Sequence, residues 1–265
     1  MPSRFVRAAG LVPLAAALLG AGTFSAARAG TASAPRRAAV QTVPAALPFG
    51  PGERSTYQVK LAGVSVGRGT LEVTGVEVVD GNNTLHARMT INGGVPLARV
   101  DDKYETWFDR DELFSRRFKQ DIHEVRYRRN RSYDFSPERR TWRRENGETG
   151  PLATDKPLDD LSFLFYARTL TFSVGDTFTL NRYFRESGNP VTLRVVRRET
   201  VKVPAGTYKT IVVRPTIHTN GLFGQGGQAE VYFTDDARHI VVMVKSRVPV
   251  VGSLTMQLQT YTPGH

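Results

Sequence analysis

The amino-acid sequence predicts an all-β domain with one helix: an antiparallel β-barrel or strongly curved half-barrel whose single helix covers the concave side. Three observations lead there. Polar and apolar residues alternate with a period of two through most of the chain between residues 56 and 261, which is the pattern of strands with one buried face. Short turn signals break these runs at regular intervals, and only one segment shifts to helical spacing. About a dozen such strands do not lie flat, because an open sheet of that size curls or splits.

The first elements in chain order lie outside the domain. Residues 1–29 carry Arg4 and Arg7, an apolar run from Ala8 to Ala21 and the small-x-small triplet Ala27-Arg28-Ala29, the layout of a cleaved export signal. Pro13, Gly20 and Gly22 interrupt the run, which is too short for a membrane-spanning helix of about 20 apolar residues. Removing the signal lowers the net charge from +11 to +8. The chain has no cysteine, which excludes disulfides, thiolate metal sites, cysteine nucleophiles and lipid attachment at an N-terminal cysteine. The expected location is therefore periplasmic or secreted. Residues 30–47, rich in Ala, Pro, Thr and Ser, read as a flexible linker; residues 48–262 read as one antiparallel β domain and 263–265 as a tail.

Within the domain, strands are expected at 56–61, 70–74, 84–91, 99–108, 113–122 and 125–135, with turns at Asp80-Gly81-Asn82-Asn83, Asn92-Gly93-Gly94 and Asp109-Arg110-Asp111. Further strands are expected at 177–184, 191–203, 208–218, 229–234, 239–247 and 253–261. Between Asp155 and Leu170 the period changes. Leu158, Leu161, Leu164, Phe165 and Arg168 fall at helical spacings, Asp155 stands as N-cap, Pro157 in the first turn, and Asp159 and Asp160 where the helix dipole favours acids.

Four segments carry a family resemblance: Pro48-Phe49-Gly50-Pro51-Gly52-Glu53 leading into Tyr57-Gln58-Val59, then Val203-Pro204-Ala205-Gly206-Thr207-Tyr208, Val231 to Arg238, and Gly252-Ser253-Leu254. Together they resemble the bacterial family of domain of unknown function 3108 over roughly residues 49–261. The resemblance implies an exported, β-rich envelope protein and assigns no catalytic residue. By analogy of shape, the barrel or half-barrel is lipocalin-like or lipoprotein-carrier-like.

Formal motif matches fail on context. Gly63-Val64-Ser65-Val66-Gly67 spells a nucleophile elbow, but strand alternation follows where a helix is required. Gly224-Gln225-Gly226-Gly227-Gln228-Ala229 mimics a dinucleotide fingerprint and leads into a strand, so it reads as a loop. His86, His123, His218, His239 and His265 show no ligand spacing, and Asp101-Asp102 and Asp235-Asp236 suit turns. The chain is read as no enzyme, with no cofactor and no metal site.

Two features point to binding. Between Arg116 and Arg144 lie eleven basic and four acidic residues, interleaved with Phe118, Tyr127, Tyr133 and Trp142; arginines there could meet phosphate or another anionic envelope component. Leu222 and Phe223 sit on a glycine-rich loop and Val248-Pro249-Val250-Val251-Gly252 on another, forming a ligand mouth, a peripheral membrane contact or core plugs. Nucleic acid does not fit an exported chain. The leading expectation is a periplasmic binding or carrier protein for a lipid or acyl ligand, with Arg126, Arg128, Arg143, Tyr127, Trp142, Leu222, Phe223 and Phe165 as ligand-binding residues. The alternative is a structural or interaction module docking through a basic strand face. An integral outer-membrane barrel is disfavoured by the internal helix and the basic strands.

Overall fold

The computed structural model describes residues 46–95, 98–124, 127–217, 229–248 and 252–265. Alternating sequence becomes one antiparallel sheet of fourteen strands. Its first half is β1 (Arg54–Leu61), β2 (Val64–Val79), β3 (Asn82–Val95), β4 (Ala98–Asp109), β5 (Ser115–Glu124), β6 (Tyr127–Ser136), β7 (Thr141–Arg144) and β8 (Thr149–Pro151). After helix α1 (Asp160–Ala167) come β9 (Thr177–Leu180), β10 (Val191–Val203), β11 (Gly206–Thr216), β12 (Ala229–Thr234), β13 (Val241–Val248) and β14 (Gly252–Thr262).

Neighbours in sequence are neighbours in the sheet, except that β1 also pairs with β14 and β8 does not pair with β9. The sheet is thus an open, curled half-barrel whose free edges are strands of only three and four residues, short enough to offer little template for a foreign strand. The segment between them closes the seam. Leu158 N–H donates to Arg182 C=O at 2.6 Å and Phe184 N–H donates to Leu158 C=O at 3.1 Å. Phe184 then packs on Tyr133 and Phe135 with ring centroids 5.3 Å apart. Trp142 completes this layer, and a Cβ on Gly150 would stand 2.3 Å from its ring, so the seam needs glycine there.

Helix α1 lies on the concave side, where none of its eight residues is more than 5% exposed. The N-cap is Asp159, not Asp155. Its Oδ1 accepts the N–H groups of Leu161 and Ser162, and its Oδ2 accepts the hydroxyls of Thr106 on β4 (2.6 Å) and Ser115 on β5 (2.7 Å). Leu158 is drawn into a β-bridge with Tyr183 by its bonds to the 182–184 segment, and the helix begins only at Asp160. The same bonds end β9 at Leu180, short of the expected 184. Strands β7 and β8 were not expected, being too short to show a period, and β2 is far longer than residues 70–74.

The antiparallel meander sends successive turns to opposite poles. The β2–β3, β4–β5 and β12–β13 turns share one pole with residues 46–53 and 261–265, as the pairing of Arg54 with both Glu72 and Thr262 requires. The strand ends at Val95 and Ala98, at Glu124 and Tyr127, and at Val248 and Gly252 share the other. Side chains that face outward form cross-strand rows. One row runs Arg54, Glu72, Arg88, Glu105, Lys119 across β1 to β5, with Arg88 Nε donating to Glu105 at 3.1 Å. Such a face is built for water, since each Arg or Lys turned to lipid at mid-bilayer costs about 2–4 kcal/mol.

Candidate functional site

At the pole that gathers both ends of the domain, α1 and the N-terminal segment are locked by one arginine. Arg168, just past α1, is buried, and both of its terminal nitrogens grip Glu53, at 2.5 Å and 3.0 Å. Nη2 also lies 3.2 Å from both Pro48 C=O and Arg238 C=O, and Nε donates to Arg238 C=O at 3.4 Å. The guanidinium lies 5.0 Å from the Phe49 ring and 5.8 Å from Phe165. Tyr261 O–H reaches Glu53 at 3.3 Å. The Nδ1–H of His239 donates to Arg168 C=O at 2.9 Å, and burial pushes the His239 imidazole below its usual value. Residues from two of the family-like segments, 48–53 and 231–238, therefore meet on a single buried cation, which the sequence marks only as one position of a helical stripe.

Above this network opens a groove of about 750 Å3, within the usual size of small-molecule sites. Its apolar wall includes Leu47, Phe49 and Leu85, and the β4–β5 and β12–β13 turns contribute Arg110 and Arg238 to its rim. Asn83, Asp111 and the two ends of the domain form the remainder. His265 N–H donates to Pro51 C=O at 3.1 Å, and a Cβ on Gly50 would lie 2.3 Å from the His265 oxygen, so glycine permits this close approach.

Of the ligand-binding residues expected from sequence, Phe165 is the only one among the described residues that lies near this groove. It is buried behind Phe49, with ring centroids 5.0 Å apart. Arg128 and Arg143 are exposed on the outward face of β6 and β7, about 20 Å apart along the strand direction. Trp142 points the other way, into the seam, where Arg185 stacks on it at 5.8 Å. Tyr127 has a place on β6; Arg126, Leu222 and Phe223, with residues 249–251, lie outside the described residues.

The basic run is not one basic face. Inward Phe118, Gln120 and Ile122 set the register of β5, and alternation then sends Arg117, Lys119, Arg128 and Arg143 outward and Arg129, Arg131 and Arg144 inward, while Arg116 falls in the bulge between outward Arg117 and inward Ser115. Several are already paired: Arg116 with Glu138 at 2.6 Å, Arg117 with Asp134 at 2.6 Å, and Arg144 with Glu145 and Glu148.

Sequence reasoning also missed a polar cluster on the outward face. Glu77 accepts the Trp107 indole N–H at 2.7 Å and bonds His86 Nδ1 at 2.8 Å, and these two contacts hold its carboxyl below the usual range. His86 stacks flat on Trp107 at 4.2 Å. Inside, burial pushes the Asp159 carboxyl up, opposed by its four hydrogen bonds. Ser65 of the elbow-like motif sits on β2, directly after the β1–β2 turn, and accepts from Gln58 Nε2 at 3.3 Å. Among the described residues, no group of three or more His, Asp or Glu is placed to hold a metal ion.

The comparisons with known proteins agree with this architecture. A crystal structure described as a β-barrel-like protein of domain of unknown function DUF1849 from Brucella abortus aligns with TM-score 0.52 and 13% identity, over 83% of this chain and 100% of that one. A protein described as exported, with a YmcC-like fold, from Bacteroides fragilis aligns with TM-score 0.36 and 12% identity, over 82% of this chain and 98% of that one. The first shows the β-barrel-like fold. No curated protein matches the chain at a significant level. The family described as protein of unknown function (DUF3108) matches residues 56–259, most of the chain, and the chain belongs to that family.

Proposed function

We propose that the protein is a non-enzymatic binding protein of the cell envelope that holds a lipid-like, amphipathic ligand in the groove at the plugged pole. The observation that carries this reading is the composition of the groove: an apolar wall of Leu47, Phe49 and Leu85 beside a rim bearing Arg110 and Arg238. Apolar area removed from water would supply affinity, and the arginines would orient an anionic end through charge-assisted hydrogen bonds. Because α1 and its aromatic neighbours occupy the concave side, the ligand lies at the end of the barrel and not along its axis. The envelope location rests on the export signal read in residues 1–29.

The test is native mass spectrometry of the mature protein purified from its own compartment, followed by lipid analysis of what denaturation releases. A stoichiometric lipid is expected, and Arg110→Ala should weaken its rebinding about tenfold, the equivalent of one hydrogen bond to a charged group. A bare protein mass with no uptake of added acyl ligands would sink the reading. The alternative, an interaction module docking on an anionic envelope component, has its own support at the opposite pole.

A further inference from the structure

Strand β6 is longer than the strand beside it. β5 pairs with it along Tyr127 to Asp134, whereas β7 covers only Tyr133 to Ser136. Among the described residues the second edge of Tyr127 to Arg131 has no strand partner. Where the cover ends, the chain caps its own edge: Glu145 N–H donates to Ser132 C=O at 3.3 Å, and Ser132 N–H donates to the Glu145 carboxylate at 2.7 Å. The period of an antiparallel strand then turns the N–H and C=O groups of Asn130 and Arg128 to the same open side. Arg128 is exposed on the outward face and Arg131 is partly exposed on the inward one. Neither has an ion-pair partner among the described residues.

Exposed edges in native sheets are commonly guarded by charge, but a guard of one sign is also a recognition feature. From the open edge and its arginines we infer that Arg128 to Arg131 of β6 is a strand-addition site for an extended acidic polypeptide segment. The segment's backbone pairs with Arg128 and Asn130, and its alternating side chains place carboxylates against Arg128 on one face and Arg131 on the other. Glu145 is the internal precedent, a carboxylate already seated on the adjacent N–H. The site lies at the pole opposite the groove, so it stands or falls independently of the lipid-like ligand.

The probe is a fluorescein-labelled peptide Thr-Val-Glu-Thr-Val-Glu-Thr-Val, whose two Glu stand three residues apart and so on opposite faces of a strand, titrated with the full mature chain by anisotropy. Wild type is expected to bind it, more weakly as salt rises. Asn130→Pro removes only an N–H that faces away from β5 and should weaken binding at least tenfold. Combined Arg128→Glu and Arg131→Glu should abolish it and favour the peptide with Lys in place of Glu. If Asn130→Pro binds as wild type while charge reversal abolishes binding, the contact is ionic only and strand addition is wrong. Self-association of the chain that Asn130→Pro removes would give the edge to a second copy and overturn the acidic partner. Should Asn130→Pro fail to fold, amide exchange at Arg128 and Asn130 in wild type decides the matter: slowing by the peptide supports the site, and unchanged exchange overturns it.

Discussion

The plugged pole and the β6–β7 strands both depend on arginine, and they use it in opposite ways. At the pole, Arg168 is sealed from water, with Glu53 and two carbonyls taking its donors and Phe49 and Phe165 near its plane. Along β6 and β7, Arg128 and Arg143 stand in solvent, and the nearest acid to Arg143 is Asp134 at 4.0 Å. One residue type therefore joins distant segments in the first region and leaves charge available to a partner in the second. The number of arginines in a stretch of sequence says nothing about which use applies; burial and the reach of other segments decide it.

The sharpest way to break this contrast is Arg168→Ala. It strands the Glu53 carboxylate in a buried site and should lower stability by about 3–5 kcal/mol, read as a fall in the urea midpoint. The double variant Arg168→Met with Glu53→Leu should recover much of that loss, because it removes both charges together. If Arg168→Ala unfolds at the wild-type midpoint, the pole is not held as described. Next in size is Gly150→Ala, whose new methyl collides with the buried Trp142 ring. It should cost about 1–3 kcal/mol by overpacking, with a shift in tryptophan emission as the seam opens.

A third region lies between the two extremes. Glu230 on β12 accepts from Arg197 at 2.9–3.0 Å and from Arg214 at 2.7 Å, and these bonds, Arg197 first, hold its carboxyl down to about 2 from 4.5. A depressed carboxylate stabilises the fold above its ordinary value and loses that contribution as pH falls from 4.5 towards 2. Both arginines are about 40% exposed, so solvent screening limits the effect to about 1 kcal/mol or less. Glu230→Gln should flatten the acid limb of the stability curve in that window; an unchanged limb would mean the cluster does not report on folding. The smallest effect belongs to Arg143→Ala, within about 0.5 kcal/mol at an exposed site. A larger loss would show that the β7 arginine is structural after all.

Much of the fold was legible in sequence because a strand announces itself locally. The alternation at residues 84–91 and 99–108 and the Asp80-Gly81 and Asp109 turns need no partner to be read, and they recur as β3, β4 and their turns. Short pieces such as β7 and β8 carry less than one clear period and were invisible. The site was much less legible. Arg110 was seen only as a turn residue, and Phe49 and Arg238 only as parts of family-like segments, because a groove is made by segments brought together from far apart in the chain.

By itself the sequence determined an alternating antiparallel chain with one helix, a basic charge balance and the absence of cysteine chemistry, since each of these is a property of residues near one another or of composition. Tertiary structure alone decided that β1 lies beside β14 and that the seam between β8 and β9 stays unpaired. It also moved the helix cap to Asp159, whose hydroxyl partners on Thr106 and Ser115 lie 53 and 44 residues away. The same holds for Arg168 and Glu53, separated by 115 residues. Buried polar groups must find partners wherever the folded chain puts them, and the curl of the whole sheet sets those places.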